Sequence, residues 1–358
     1  MRILRRQHQD VERIMAPDIP RCEMQITSKA VTQMKSLITS IGAIFLLATG
    51  LASAQEPTRT VDDYVREAKV AAGANWSGTF LWLCVPPPEG QVRRRPPGPR
   101  PIPARETWYA EPQKVADNLY FLGTQRHNAW AIVGSEGIIV IEALFHYAAK
   151  DEVLDGLKKV GLDPADVKYV LLSHGHGDHD GGAKELQDTI EGVTLIYGAE
   201  DWDLVESQEN RPGGTPKRQR AGDDGMIISV GDASVEIFTM PGHTAGTLSY
   251  LFEVKEDGKP LRVAYVGGTA IRFGGTPEYF DGYIASSKKV GDAAAEYGAT
   301  VLLSNHNDFD NAYYKAHLAA TRPTGAPNPF EVGEDGVAGY FKMVQACTMA
   351  AKLRAAGE

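Results

Sequence analysis

The segment VKYVLLSHGHGDHDGG, residues 167–182, concentrates more reactive side chains than any other part of the chain. An apolar, strand-like run ends at Ser173, and a glycine-punctuated loop then carries His174, His176, Asp178 and His179. Small residues between the ligand types let a loop fold around an ion so that alternate side chains converge. Imidazole nitrogens suit zinc, and a carboxylate adds charge compensation. Two ions are easier to serve than one, because the His174/His176 pair points one way and the Asp178/His179 pair another. Isolated histidines are usually polar surface or core residues. His127, His146 and His317 are read in that way, with His127 and His146 also placed to line the mouth of a site.

Two further histidines follow strand-like runs: His243 in PGHTAGT after VEIFTM, and His306 in NHND after TVLLS. Strand ends are where catalytic side chains gather in layered α/β folds. Together these pieces resemble the metallo-β-lactamase superfamily over residues 108–310, with SHGHGDHDGG standing for its HxHxDH motif. The resemblance implies an αββα sandwich of two mixed β-sheets flanked by helices. It also implies two zinc ions, the first on His174, His176 and His243, the second on Asp178, His179 and His306. Most hydrolases of the superfamily carry a metal-bridging aspartate after the strand that precedes the last histidine. Here that strand reads LRVAYVGGTA, and Gly267 and Gly268 occupy the place. A dizinc site without that bridge is similar to subclass B3 of the β-lactamases.

The implied chemistry is hydrolysis. Two zinc ions lower the pKa of a water from about 15.7 toward roughly 7, so hydroxide is available at neutral pH. Asp178 orients it for attack on the cyclic amide of a β-lactam. The alternative is the same machinery acting on another ester, lactone, thioester or phosphodiester. Thr269, Arg272 and Asn305 are the expected substrate contacts, Arg272 for a carboxylate. Asn305 and Asn307 could instead cap the turn around His306. Glu142, ending GIIVIE, either braces the metal loop or is a plain strand-end carboxylate. No nucleophile-elbow motif is present. Lys217, Arg218 and Arg220 lie in the loop NRPGGTPKRQR, read as a solvated charged loop in preference to a flap over the site.

Composition narrows the partners. A net charge of −9 argues against a general nucleic-acid binder, leaving a small-molecule substrate; the oligomeric state is open. Three cysteines in 358 residues exclude a Cys-rich zinc finger, so any metal must be held by His and carboxylate. Residues 34–54 combine a Met, one Lys, a short apolar run and the ending Ala52-Ser53-Ala54, the pattern of a secretory signal peptide. Residues 1–33 then read as an upstream extension from a misassigned start. The expected location is periplasmic or secreted, with no membrane span after cleavage. Cys22 leaves with the prefix, so Cys84 and Cys347 remain, either bonded in an oxidising compartment or as two free buried thiols.

The elements that must position the motif follow from periodicity. Residues 55–107 read as an arm with a helix over Val61–Ala72, a short apolar piece TFLWLCV, and a linker over 86–103 with eight prolines and four arginines. From residue 108 to 358, strands alternate with helices, the hydrolase domain ending in a long C-terminal helix. Strands are expected over 118–123, 129–133, 137–141, 167–173, 193–197, 226–230, 234–240, 247–254, 261–266 and 300–303. Helices are expected over 151–160, 182–190, 199–207, 284–297, 312–321 and 337–355.

Overall fold

A computed structural model describes residues 59–87 and 101–357 of the chain. The signal-like segment 34–54, the extension 1–33 and most of the linker 86–103 lie outside the described residues.

Twelve strands form two sheets. The first contains β1 (Gln113–Ala116), β2 (Leu119–Phe121), β3 (Trp130–Gly134), β4 (Gly137–Ile141), β5 (Val167–Leu171), β6 (Thr194–Tyr197) and β7 (Arg220–Ala221), side by side in chain order. The first four run antiparallel to one another, and β4 to β7 run parallel. The second sheet has the order β12-β11-β10-β9-β8, from β8 (Ile227–Val230), β9 (Ala233–Thr239), β10 (Leu248–Glu256), β11 (Lys259–Val266) and β12 (Val301–Ser304). Its one parallel pair is β11 with β12. Both sheets are therefore mixed.

The helices are α1 (Val61–Ala72), α2 (Ser77–Cys84), α3 (Asp155–Lys159), α4 (Gly177–Asp180) and α5 (Ala183–Thr189). They continue with α6 (Ala199–Glu206), α7 (Pro277–Tyr297), α8 (Asn307–Asp310), α9 (Ala312–Thr321) and α10 (Gly333–Ala356). Local chemistry sets their ends. At α1, the Thr60 side chain accepts from the Asp63 amide while the Asp63 carboxylate accepts from the Thr60 amide, so two orphan donors are satisfied reciprocally. Thr276 caps α7 with Pro277 in its first turn, and Gly298 ends it in the left-handed conformation that glycine adopts at no steric cost.

Three apolar layers follow from the strand patterns. Phe121, Trp130, Ile139 and Ile141 of the first sheet meet Val235, Ile237, Tyr250, Phe252 and Val263 of the second, forming the inter-sheet core. The outer face of the first sheet is covered by a cluster that includes Leu157, Leu186 and Trp202 from α3, α5 and α6. The outer face of the second sheet packs on α1, α2, α7 and α10 through Ala68, Leu83, Phe280, Tyr340 and Val344. The result is helix, sheet, sheet, helix: an αββα sandwich.

The arm is part of this sandwich. Trp76 is buried, donates from Nε1 to the Gly336 carbonyl of α10 at 2.7 Å, and sets its ring edge-on to Tyr340. The apolar piece TFLWLCV forms most of α2, and Cys84 at its end is disulfide-bonded to Cys347 of α10. No described helix is long and apolar enough to cross a membrane.

Candidate metal centre

The parallel strands deliver the site. β4, β5, β11 and β12 all end at one edge of the sandwich, and the β2–β3 and β9–β10 connections turn at the same edge because their strands run antiparallel to these. Every histidine of interest lies in one of those connections. After β5 the chain runs through an irregular segment with bends, is extended at His176 and then turns once as α4, whose first bonds run from the His179 and Asp180 amides to the His176 carbonyl. His174 and His176, two residues apart, turn to the same side, where both face His243. The helical turn then swings Asp178 and His179 to a separate sector.

Two groups of ligand atoms result, each with all its atoms within 4.8 Å of one another: His174, His176 and His243, and separately His127, Asp178 and His306. In the first group, His176 Nδ1 lies 3.1 Å from His243 Nε2. Beside the second, His179 Nε2 lies 3.0 Å from His306 Nε2 and 3.5 Å from Asp178 Oδ2. The donor set suits a metal because the lone pairs converge. His174 Nδ1 is 2.9 Å from the Gly267 carbonyl and His243 Nδ1 is 2.9 Å from the Ala270 carbonyl. A carbonyl only accepts, so both Nδ1 atoms carry the proton and both Nε2 atoms offer a lone pair. His174 Nε2 is buried with no hydrogen-bond partner. Burial, reinforced by neighbouring imidazoles, holds His174 and His179 well below the usual histidine range, and burial brings His306 down to about 4. Neutral imidazole is the form that binds metal.

Surrounding groups lock the loops. Asp201, fully buried at the start of α6, accepts from the Gly175 amide at 2.7 Å and the Thr244 hydroxyl at 2.8 Å on one oxygen, and from the Gly246 amide at 2.9 Å on the other. It thereby clasps the His174–His176 loop to the His243 loop. Asp310 accepts from the Ser304 and Ala312 amides and from Asn128, fixing the turn that carries His306. Asp180 and Arg211 form a buried ion pair directly behind His179. Glu142 is buried with a left-handed φ of 72°, accepts from the Tyr265 hydroxyl at 2.7 Å, and stands 3.8 Å from His179 Nδ1. Burial raises its carboxyl to about 8.

The glycines after β11 are a packing requirement. A Cβ on Gly267 would overlap the Leu248 carbonyl oxygen and come within 2.7 Å of Ser173 Cβ; one on Gly268 would come within 2.6 Å of His243 Cβ. Neither position can hold a carboxylate.

The structure redistributes several sequence expectations. Thr269 is buried, bonded to the Ser304 and Tyr340 hydroxyls, and Asn305 is buried, donating to the Gly267 carbonyl at 2.6 Å. Both expected substrate contacts thus spend their polar atoms on the interior, supporting the loops. Arg272 is exposed beside the site, its guanidinium 3.4 Å from the His243 carbonyl and over the Tyr279 ring. The basic loop is docked: Arg218 pairs with Asp203 and Glu206 of α6. His127, read from sequence as an ordinary polar histidine, stands among the ligands. Its position one turn ahead of β3 was the available signal, since β3 begins where β4 ends. Asp201 and Arg211 gave no signal, because lone charged residues look alike until their partners are known.

The comparisons agree with this geometry. Residues 122–256 match the family profile described as metallo-beta-lactamase superfamily. Among curated proteins, hydroxyacylglutathione hydrolase of Synechocystis sp. (strain ATCC 27184 / PCC 6803 / Kazusa) is 30% identical over 168 residues, covering 47% of this chain and 55% of that one. N-acyl homoserine lactonase AttM of Azorhizobium caulinodans is 26% identical over 175 residues, covering 45% and 66%. The hydroxyacylglutathione hydrolase of Gloeothece citriformis is matched over 50% of its length, so the chain spans about half of that relative. Among solved structures, a subclass B3 metallo-beta-lactamase of Bradyrhizobium japonicum superposes with a TM-score of 0.59 at 26% identity, covering 70% of this chain and 98% of that one. The chain matches the metallo-β-lactamase superfamily in fold, and its clustered His and Asp side chains converge as metal ligands do, consistent with a metal-dependent hydrolase.

Proposed function

We propose that the protein hydrolyses the acyl bond of a small ester, thioester or lactone, using two zinc ions. The observation that carries this reading is the pair of converging groups, His174, His176 and His243 beside His127, Asp178 and His306, with His179 within 3.5 Å of both Asp178 and His306. The named relatives support an acyl substrate, since a thioester hydrolase and a lactonase both attack a carbonyl carbon. Cleavage of a β-lactam amide is the second reading, favoured by the likeness to B3 enzymes and by glycines that bar a bridging carboxylate. A phosphodiester is disfavoured by the acidic charge.

When bound, zinc supplies an acidified water and a Lewis acid for the carbonyl oxygen. The chain does the rest. The Asp178 carboxylate, part-exposed at the mouth, accepts a hydrogen bond from the attacking water and orients its lone pair. The Arg272 guanidinium reaches an anionic group on the substrate. The stacked rings of Phe145 and Tyr147 give an apolar wall beside His127. Asp201 and Asp310 hold the ligand loops at fixed spacing, so little reorganisation is needed in the transition state. The Cys84–Cys347 disulfide supports a periplasmic or secreted location, since such bonds persist in oxidising compartments.

The test is a panel of a hydroxyacylglutathione thioester, an acyl homoserine lactone, nitrocefin and a bis-aryl phosphodiester, run with zinc-loaded, EDTA-stripped and His176→Ala protein. Chelator-sensitive turnover of the thioester or lactone, lost in the variant, is expected. Turnover of nitrocefin alone would select the second reading. Two bound ions with no acyl turnover would refute both.

A further inference from the structure

We propose that His127 is a fourth protein ligand of the second metal position, completing a set of His127, Asp178, His179 and His306. The proposal rests on the two-ion reading above and adds to it a donor from a loop outside the HxHxDH motif.

Distances carry the argument. Ligands about 2.1 Å from a tetrahedral zinc lie roughly 3.4 Å from one another. Asp178 Oδ2 is 3.6 Å from His127 Nε2, 3.5 Å from His179 Nε2 and 3.6 Å from His306 Nε2, and the two last nitrogens are 3.0 Å apart. Four of the six edges of a tetrahedron are thus present. At 3.6 Å, His127 Nε2 is too far from Asp178 Oδ2 for a hydrogen bond and stands at the spacing of two ligands of one ion.

The position is also built. His127 and His306 face one another across an antiparallel bridge. The Asn128 amide donates to the Asn305 carbonyl at 3.0 Å, and the Asn307 amide to the Arg126 carbonyl at 2.9 Å. Thr124 closes the turn from the other side, its hydroxyl accepting from the His127 amide at 2.8 Å while its own amide donates to the His127 carbonyl. Phe145 stands edge-on to the imidazole at 5.0 Å, and the side chain is only 13% exposed. A surface histidine has no need of such fixing.

The consequence is an asymmetric pair. Three imidazoles at the first position leave a coordination place open, as catalytic zinc sites do, whereas four protein ligands close the second. With carboxylates barred after β11, the fourth donor is a neutral imidazole, and one more positive charge remains uncompensated than a bridging aspartate would leave.

The experiment uses the purified full chain, stripped of metal and titrated with zinc against a chromophoric chelator and with cobalt(II) by visible absorption. Wild-type protein is expected to bind two ions, and His306→Ala one. His127→Gln should bind the first ion normally, which certifies its fold, and the second ion ~10–100-fold more weakly, with loss of the intense four-coordinate cobalt band. A His127→Gln variant that binds both ions as the wild type does would overturn the proposal. Wild type and His306→Ala binding one ion alike would overturn the two-ion reading itself. Nitrogen-15 spectra of histidine-labelled wild-type protein need no variant: six metal-shifted imidazoles support the ligand, and five refute it.

Discussion

Replacing Asp201 with alanine tests whether the two halves of the first ligand set are held by one side chain. The carboxylate is fully buried and accepts from the amides of Gly175 and Gly246 and from the Thr244 hydroxyl. The hydroxyl keeps a partner in Thr247 at 2.7 Å, but both amides lose theirs. Each orphaned buried donor costs about 1–3 kcal/mol, so Asp201→Ala should destabilise the metal-free protein by about 4 kcal/mol. Asp201→Asn keeps one acceptor and turns an NH2 group toward an amide, and about half that loss is expected. Because His243 is set relative to His174 and His176 through this clasp, affinity for the first zinc should fall ~10–100-fold, the loss typical of groups that orient ligands. Urea unfolding of the stripped protein gives the first quantity and chelator competition the second. An alanine variant within about 1 kcal/mol of wild type, with unchanged zinc affinity, would show that the loops hold themselves.

Three other substitutions probe the frame. Gly267→Ala should fail to give folded protein, since its Cβ overlaps the Leu248 carbonyl; soluble Gly267→Ala with native circular dichroism would contradict the packing argument. Glu152 is buried, accepts from the Ala110 amide at 2.9 Å, and is raised to about 9 by burial, so its stabilising protonated form is retained at low pH and lost as pH climbs from the unfolded value near 4.5 through 9. Glu152→Gln removes that loss, and its stability relative to wild type should improve by about 1.4 kcal/mol per pH unit between pH 5 and 8 in urea melts; a flat difference would place the carboxyl's titration elsewhere. Cys84→Ala with Cys347→Ala opens a closure of 263 residues and should cost up to about 5 kcal/mol in the same assay, a loss below about 1 kcal/mol showing that packing of α1 and α2 on α10 suffices.

The fold was legible because its strands are short apolar runs bounded by glycine and turn residues. The expected Gly137–Ile141 coincides with β4, and the expected helices over 61–72 and 312–321 coincide with α1 and α9. Misses have physical causes. β7 is two residues long and β1 pairs through a bulge, so neither shows a period. α2 carries apolar side chains on its exposed as well as its buried face, Leu81 and Trp82 among the exposed ones, so its run TFLWLC has no helical period and reads equally as strand. The expected helix over 284–297 begins earlier, at Pro277, because the Thr276 cap and Pro277 start it before the apolar period sets in. At the site, residues that sit in one local motif announced themselves, whereas His127 and Asp201 are brought beside it only by tertiary contact. Thr269 and Asn305, expected to face substrate, are both buried, which no local pattern could reveal.

The ligand sets also have a topological meaning. His176 and His243 are 67 residues apart and lie after strands of opposite sheets, as do His179 and His306, 127 residues apart. An ion at either position is therefore a cross-link between the two sheets, restricting the unfolded chain as a covalent bridge would, by about 4–5 kcal/mol for closures of this length. Because binding free energy of this kind becomes folding free energy, the amount of intact protein would track the supply of metal.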